Sequence, residues 1–233
     1  MTAVVHPRPL SVRFRPLAGM AVAWAVVAGR VRRSPGTFIL LTVITITSLV
    51  LDLSAEQAAR TVLHHVSSNL AHIEQLRFGT LVASAFWLED STEIVPWTLL
   101  FFLVVAPAEA WLGTGRWLLV FAAGHIGATL ATLGGLWLAI DFGIASRHLA
   151  HSVDVGVSYG FFAVAAVLVY RLPARWRLWY VAAVLIYPVW STVANRGFTD
   201  FGHLAALAIG FSLYPLTRPR TRTPLEGAAQ ATD

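Results

Sequence analysis

The chain has 233 residues, of which 57% are hydrophobic and only 12% charged, where a soluble domain carries about 25% charged residues. Together with long uncharged runs and a mean hydropathy of +0.67, this excludes a water-soluble globule and a disordered chain and marks an integral membrane protein. The net charge of +5 comes from arginines with no lysine, set in short clusters between apolar runs; that is topology information, not a phosphate-binding face, and it excludes nucleic acid as a partner.

Residues 1–34 read as a basic cytoplasmic arm, in which Leu17–Gly29 is apolar but short and fits a helix lying in the membrane interface. Six stretches approach the length that crosses a bilayer. They are Phe38–Leu53, Ile94–Leu112 (broken by Pro96 and Pro107), Arg116–Ile140, Asp154–Tyr170, Trp176–Val193 and Asp200–Leu216. The first, fourth and sixth are short, which suits helices inside a compact bundle. Between the first two lies a large outer loop, about 54–93, and within it residues 79–88 are too short to span and fit a re-entrant or interfacial element. The tail, 218–233, is small and polar and is expected to be disordered. With the N-terminus inside, 13 of the 17 arginines fall in cytoplasmic segments and 4 in outer ones. The positive-inside rule therefore selects N-in, C-in and a multi-pass protein of the cell membrane.

Ionisable groups within spans are costly and draw attention first. Glu109 ends the second span, four residues before Gly113, and its plain role is pairing with an Arg or capping a turn. His125, nine residues into the third span, reads as a neutral, hydrogen-bonded packing residue. His203 lies near the outer end of the sixth span, with Ala206 and Gly210 three and seven positions on, so a small-residue stripe brings a neighbouring helix against it. Ser158 lies at a similar depth on the fourth span, four residues after Asp154, its expected N-cap. A serine beside a histidine is the minimal activated nucleophile, and the free N–H groups of a first helical turn would stabilise an oxyanion there. The alternative stays open at this point: spanning serines bond back to the i−4 carbonyl, Gly156 and Gly160 form a helix-packing spacing, and Asp154 and Asp200 serve as caps and not as a third catalytic member.

Gly156-Val157-Ser158 with Gly160, then Gly202-His203-Leu204 with Gly210, resembles the rhomboid intramembrane serine proteases. The segment Glu109-Ala110-Trp111-Leu112-Gly113 with Arg116 is similar to the one that ends rhomboid helix two, and the likeness covers roughly 80–216, closest to the divergent rhomboid-like branch of bacterial membrane proteins. It implies an all-α bundle of six transmembrane helices, 35–217. Ser158 would be the nucleophile, His203 the general base and the Ser158 N–H an oxyanion donor, with Gly156, Tyr159 and Asn69 as supporting candidates. Gly160, Gly210 and Glu109 would serve packing. No metal or cofactor is implied, and the partner is the transmembrane segment of a substrate or client within the lipid bilayer.

Two positions depart from the family pattern. Tyr159 stands where the glycine after the serine is usual, and counting back from Glu109 puts Glu93 and Trp97 where a His and an Asn normally add oxyanion donors. The one His-x-x-x-Asn spacing, His65 to Asn69, would have to fold over from the outer loop. Two functions follow: an intramembrane protease, favoured by Ser158 and His203, and an inactive bundle that binds or chaperones transmembrane segments, favoured by the missing helix-two donors.

Overall fold

The computed structural model describes residues 16–194 and 197–218; the expected arm before Pro16 and the tail beyond Arg218 lie outside them. Among the described residues the chain is helical, without strands. Helix α1 is Pro16–Arg33 and continues past Gly29, where the interfacial stretch was expected to stop. Ser34 breaks it, and α2, Pro35–Asp52, begins with proline at its first position, where the missing N–H costs nothing. The loop after α2 is itself helical: α3 (Glu56–Val66), α4 (Leu70–Glu74) and α5 (Thr80–Ala83). Leu81, Ala85 and Leu88 are buried, so 79–88 is a short docked element.

The next span is three pieces in one line: α6 (Ile94–Leu100), a π-helical stretch Phe101–Val105, and α7 (Ala106–Leu112). Pro107 explains the middle piece, since it lacks an N–H for the Leu103 carbonyl and its ring crowds that oxygen. Widening the preceding turn relieves both, and π-turns of this kind occur as single-turn insertions in α-helices. Gly113, with φ +81°, then turns the chain into α8, Thr114–Asp141.

Helix α9, Ser158–Leu168, is central. Every residue from Tyr159 to Leu168 is buried, as an all-round apolar helix requires. It packs against α8 and against α11, Phe198–Ser212, and these two also pack on each other. On α11 the buried set is Asp200, Gly202, His203, Ala206, Leu207 and Gly210, one stripe at helical spacing. Helix α10, Ala174–Ala194, lies at the edge and buries only Pro188 and Ser191.

The contacts among α8, α9 and α11 are set by missing side chains. A Cβ on Gly124 would lie 2.1 Å from the Ala163 Cβ, and one on Gly210 would lie 2.3 Å from the Ala163 carbonyl oxygen. A Cβ on Gly160 would meet the Phe121 ring at 2.4 Å. Gly160 and Gly210 therefore stand at close crossings, but Gly156 precedes α9 with φ +138° and shares no helix with Gly160.

Among the described residues four helical segments are long and apolar enough to cross a membrane: Pro35–Asp52, Ser91–Leu112, Thr114–Asp141 and Ala174–Ala194. The fourth and sixth expected spans are shorter than read from the sequence. Ser158–Arg171 is a short apolar helix, and α11 has 15 residues, fewer than the roughly 17–25 that cross a bilayer unaided.

Candidate active site

Ser158 is the first residue of α9, and its N-cap is Val157. Asp154 lies in the extended segment before the helix and does not cap it. Its expected role is overridden by the loop between α2 and α6, which takes its backbone instead. The Asp154 N–H donates to Ser67 Oγ at 2.8 Å, and its carbonyl accepts from the Ser68 N–H and Oγ, each at 3.1 Å. Two residues on, the Gly156 N–H donates to the Ser84 carbonyl at 2.9 Å. The strand of chain that delivers Ser158 is thus tied down by residues about 70 to 90 positions away. The Gly156 N–H is engaged in that tie, so it is no free oxyanion donor.

Opposite Ser158 stands His203. Ser158 Oγ and His203 Nε2 are 3.0 Å apart, within hydrogen-bonding reach. His203 Nδ1 has no hydrogen-bond partner among the described residues; aromatic rings hold the imidazole, with centroids 5.3 Å away for Tyr159, 5.0 Å for Phe162 and 5.9 Å for Tyr187. Asp200 makes no hydrogen bond to His203. Its Oδ2 accepts from the Gly197 N–H at 2.9 Å, closing the N-terminus of α11, and its Oδ1 accepts from Ser191 Oγ on α10.

Tyr159 fills the space beside the dyad. Its ring lies against Gly202, where a Cβ would come within 2.4 Å of it. Its hydroxyl donates to the Thr199 carbonyl at 3.3 Å and stands 3.5 Å from Asp154 Oδ1. The bulk gained at 159 is matched by the side chain absent at 202.

A cavity of about 700 Å³ opens beside the dyad, within the range of sites that enclose a ligand. Pro96, Trp97 and Leu100 of α6 line one side, Tyr180, Ala183 and Tyr187 of α10 the other, and Ser158 and His203 share the wall. Glu93 and Trp97 both line it, and Trp97 Nε1 donates to Glu93 Oε2 at 3.1 Å. They form a bonded pair of their own and supply no His–Asn pair.

Three further candidates sit elsewhere. Asn69 is not among the cavity residues; its Oδ1 accepts the His72 N–H at 2.9 Å and caps α4. Its role as oxyanion support is thereby replaced by local capping, which Asn favours. Glu109 is fully buried at the start of α2, where its carboxylate accepts from the Gly36 and Thr37 N–H groups at 2.9 and 2.6 Å and from the Thr37 and Thr114 hydroxyls at 2.6 and 2.7 Å. A carboxylate there meets both the orphan donors and the positive end of the helix dipole. His125 Nε2 lies 3.2 Å from Ser84 Oγ, so it braces the same loop that holds Gly156. The sequence did not single out Ser67, Ser68 and Ser84, and nothing local distinguishes them from other loop serines.

Among the described residues no group of three or more His, Cys, Asp or Glu is placed to hold a metal ion. Comparison with curated proteins and with solved structures returns no match. A family model described as rhomboid-like protein matches residues 29–223, which takes in α2 to α11, the loop between α2 and α6 and both Ser158 and His203. The chain therefore belongs to the rhomboid-like family and is a rhomboid-like membrane protein.

Proposed function

We propose that this protein is an intramembrane serine protease that hydrolyses a peptide bond of a membrane-protein substrate near the outer face of the cell membrane. The observation that carries the reading is the 3.0 Å approach of Ser158 Oγ to His203 Nε2 at the mouth of an open cavity. Ser158 Oγ attacks the scissile carbonyl while His203 Nε2 takes its proton. The tetrahedral oxyanion meets the Ser158 N–H, which has no carbonyl behind it in the first turn of α9. Collapse breaks the C–N bond as His203 returns the proton to the leaving amine. Water then attacks the acyl-enzyme with His203 again as base, releasing the carboxylic acid and restoring Ser158. The arginine distribution supports N-in, C-in topology with α9 and α11 counted among six membrane helices, so that Ser158 faces outward.

A second reading has its own support. The Glu93–Trp97 pair at the cavity wall offers no ready oxyanion donor, and losing one such donor costs about 10²–10³ in rate. On that reading the bundle binds or chaperones transmembrane segments without cleaving them. Labelling of purified protein with a fluorophosphonate separates the two. Proteolysis predicts labelling of the unaltered chain and its loss in both Ser158→Ala and His203→Ala. Labelling that survives Ser158→Ala, or none at all in folded protein after prolonged incubation, favours the binding role.

A further inference from the structure

The cavity that holds Ser158 and His203 has three carboxylates in its wall, Glu89, Glu93 and Asp154, and no arginine. No ion pair among the described residues reaches any of the three. Asp154 is the deepest, only 7% exposed. Its Oδ2 has no hydrogen-bond partner among the described residues, and its Oδ1 has only the Tyr159 hydroxyl at 3.5 Å. The backbone N–H and carbonyl of this residue are pinned to Ser67 and Ser68, which fixes the point from which the side chain leaves the backbone. Burial pushes the Asp154 carboxyl up to about 7, and the negative charge of Glu89 adds to the effect. A buried acid met only by one long hydroxyl contact is costly when ionised, and a cation delivered by a ligand removes that cost.

We propose that Asp154, with Glu89 and Glu93, forms a subsite for a basic side chain, arginine or lysine, of the membrane segment bound in this cavity. The inference rests on the cavity being where such a segment binds, and it holds whether or not the segment is cleaved. Asp154 precedes Ser158 by four residues, so the basic residue lies close to the peptide bond presented to the serine. Its charge also matters to the chemistry: Glu89, Glu93 and Asp154 when ionised oppose a developing oxyanion, and the substrate's own cation offsets them. Metal binding is the less fitting use, since the acids do not gather into a ligand set among the described residues.

The test uses fluorescent transmembrane peptides in detergent that differ at one residue, Arg, Lys, Gln or Glu, scanned through the outer flank. Binding to Ser158→Ala protein is read by anisotropy, and cleavage by the unaltered protein is followed in parallel. At one position or more, Arg and Lys peptides should bind about tenfold more tightly than the Gln peptide, the scale of one charge-assisted hydrogen bond, with Glu weakest. Asp154→Asn in the same background should bring Arg and Gln to within about twofold. Equal binding of Arg and Gln peptides at every position overturns the proposal, and so does an Arg preference that survives Asp154→Asn. The peptide series leaves Asp154 untouched, so it stands even if that variant folds poorly, and Glu89→Gln should weaken the preference in part. Arg-selective binding without cleavage of any peptide keeps the subsite and refutes proteolysis; cleavage indifferent to Arg does the reverse.

Discussion

At the scale of single residues, Asp154 is held in place by loop serines while its carboxyl meets only the Tyr159 hydroxyl, at 3.5 Å, and this has a pH signature. Its folded-state value is about 7 against the ordinary 3.8, so the folded protein binds this proton more tightly than the unfolded chain. Its contribution to stability is complete below about pH 4 and is lost as pH rises through about 7. In detergent, Asp154→Asn should therefore melt higher than the unaltered protein at pH 8, and the difference should close as the pH falls to 4. A difference that is the same at both pH values would sink this assignment. Ser158 and His203 were legible in the sequence because each sits at a helix end beside small residues at helical spacing. Tyr159 was legible only as a departure. That Gly202 makes room for its ring follows from two helices crossing, which no local pattern records. Asn69 is the opposite case: as a cap three residues before His72 it answers a local signal, and that takes the place of the expected long-range role.

At the scale of elements, three helices meet at Ala163. The Ala163 methyl faces Gly124 of α8, while its backbone faces Gly210 of α11. Gly124→Ala and Gly210→Ala should each destabilise the bundle by about 1–3 kcal/mol through overpacking. Only one of them is curable by Ala163→Gly. With that methyl gone, the nearest atoms to a new Cβ at 124 are at 3.4 and 3.5 Å, ordinary contact, so the melting temperature should recover. At 210 the obstacle is the Ala163 carbonyl, which the substitution leaves in place, so the loss should persist. Equal rescue at both sites would show that the crossings are looser than described. Helix positions were readable from apolar length, but ends were not. Helix α9 begins at Ser158, four residues after the expected start at Asp154, because Asp154, a good N-cap by type, is taken by Ser67 and Ser68 across the fold.

At the scale of the whole molecule, the bundle has a tight centre and a loose flank. Helices α8, α9 and α11 hold the dyad from behind, while α10, which forms a wall of the cavity, buries two residues along its length. Its links inward include Ser191 Oγ to Asp200 and the Tyr180 hydroxyl to the Ala165 carbonyl at 3.0 Å. Removing the first should free the flank before the centre. The chain has no cysteine, so Val189→Cys on α10 and Val95→Cys on α6 give a clean pair for spin labels. Adding Ser191→Ala should lengthen and broaden the distance between them; an unchanged distribution would mean that the hydroxyl is not the restraint. The wall opposite α10 depends on the π-helical stretch Phe101–Val105. One extra residue is wound into that turn, so the helix above it is out of phase with α7 by about 100°, the angle of one residue at 3.6 per turn. Every side chain from Ile94 to Leu100 owes its facing to that single residue. Were one position lost between 101 and 105, the span would regain an even winding, Glu109 would keep its place at the start of α2, and Trp97 would turn away from the cavity with no change in its immediate sequence.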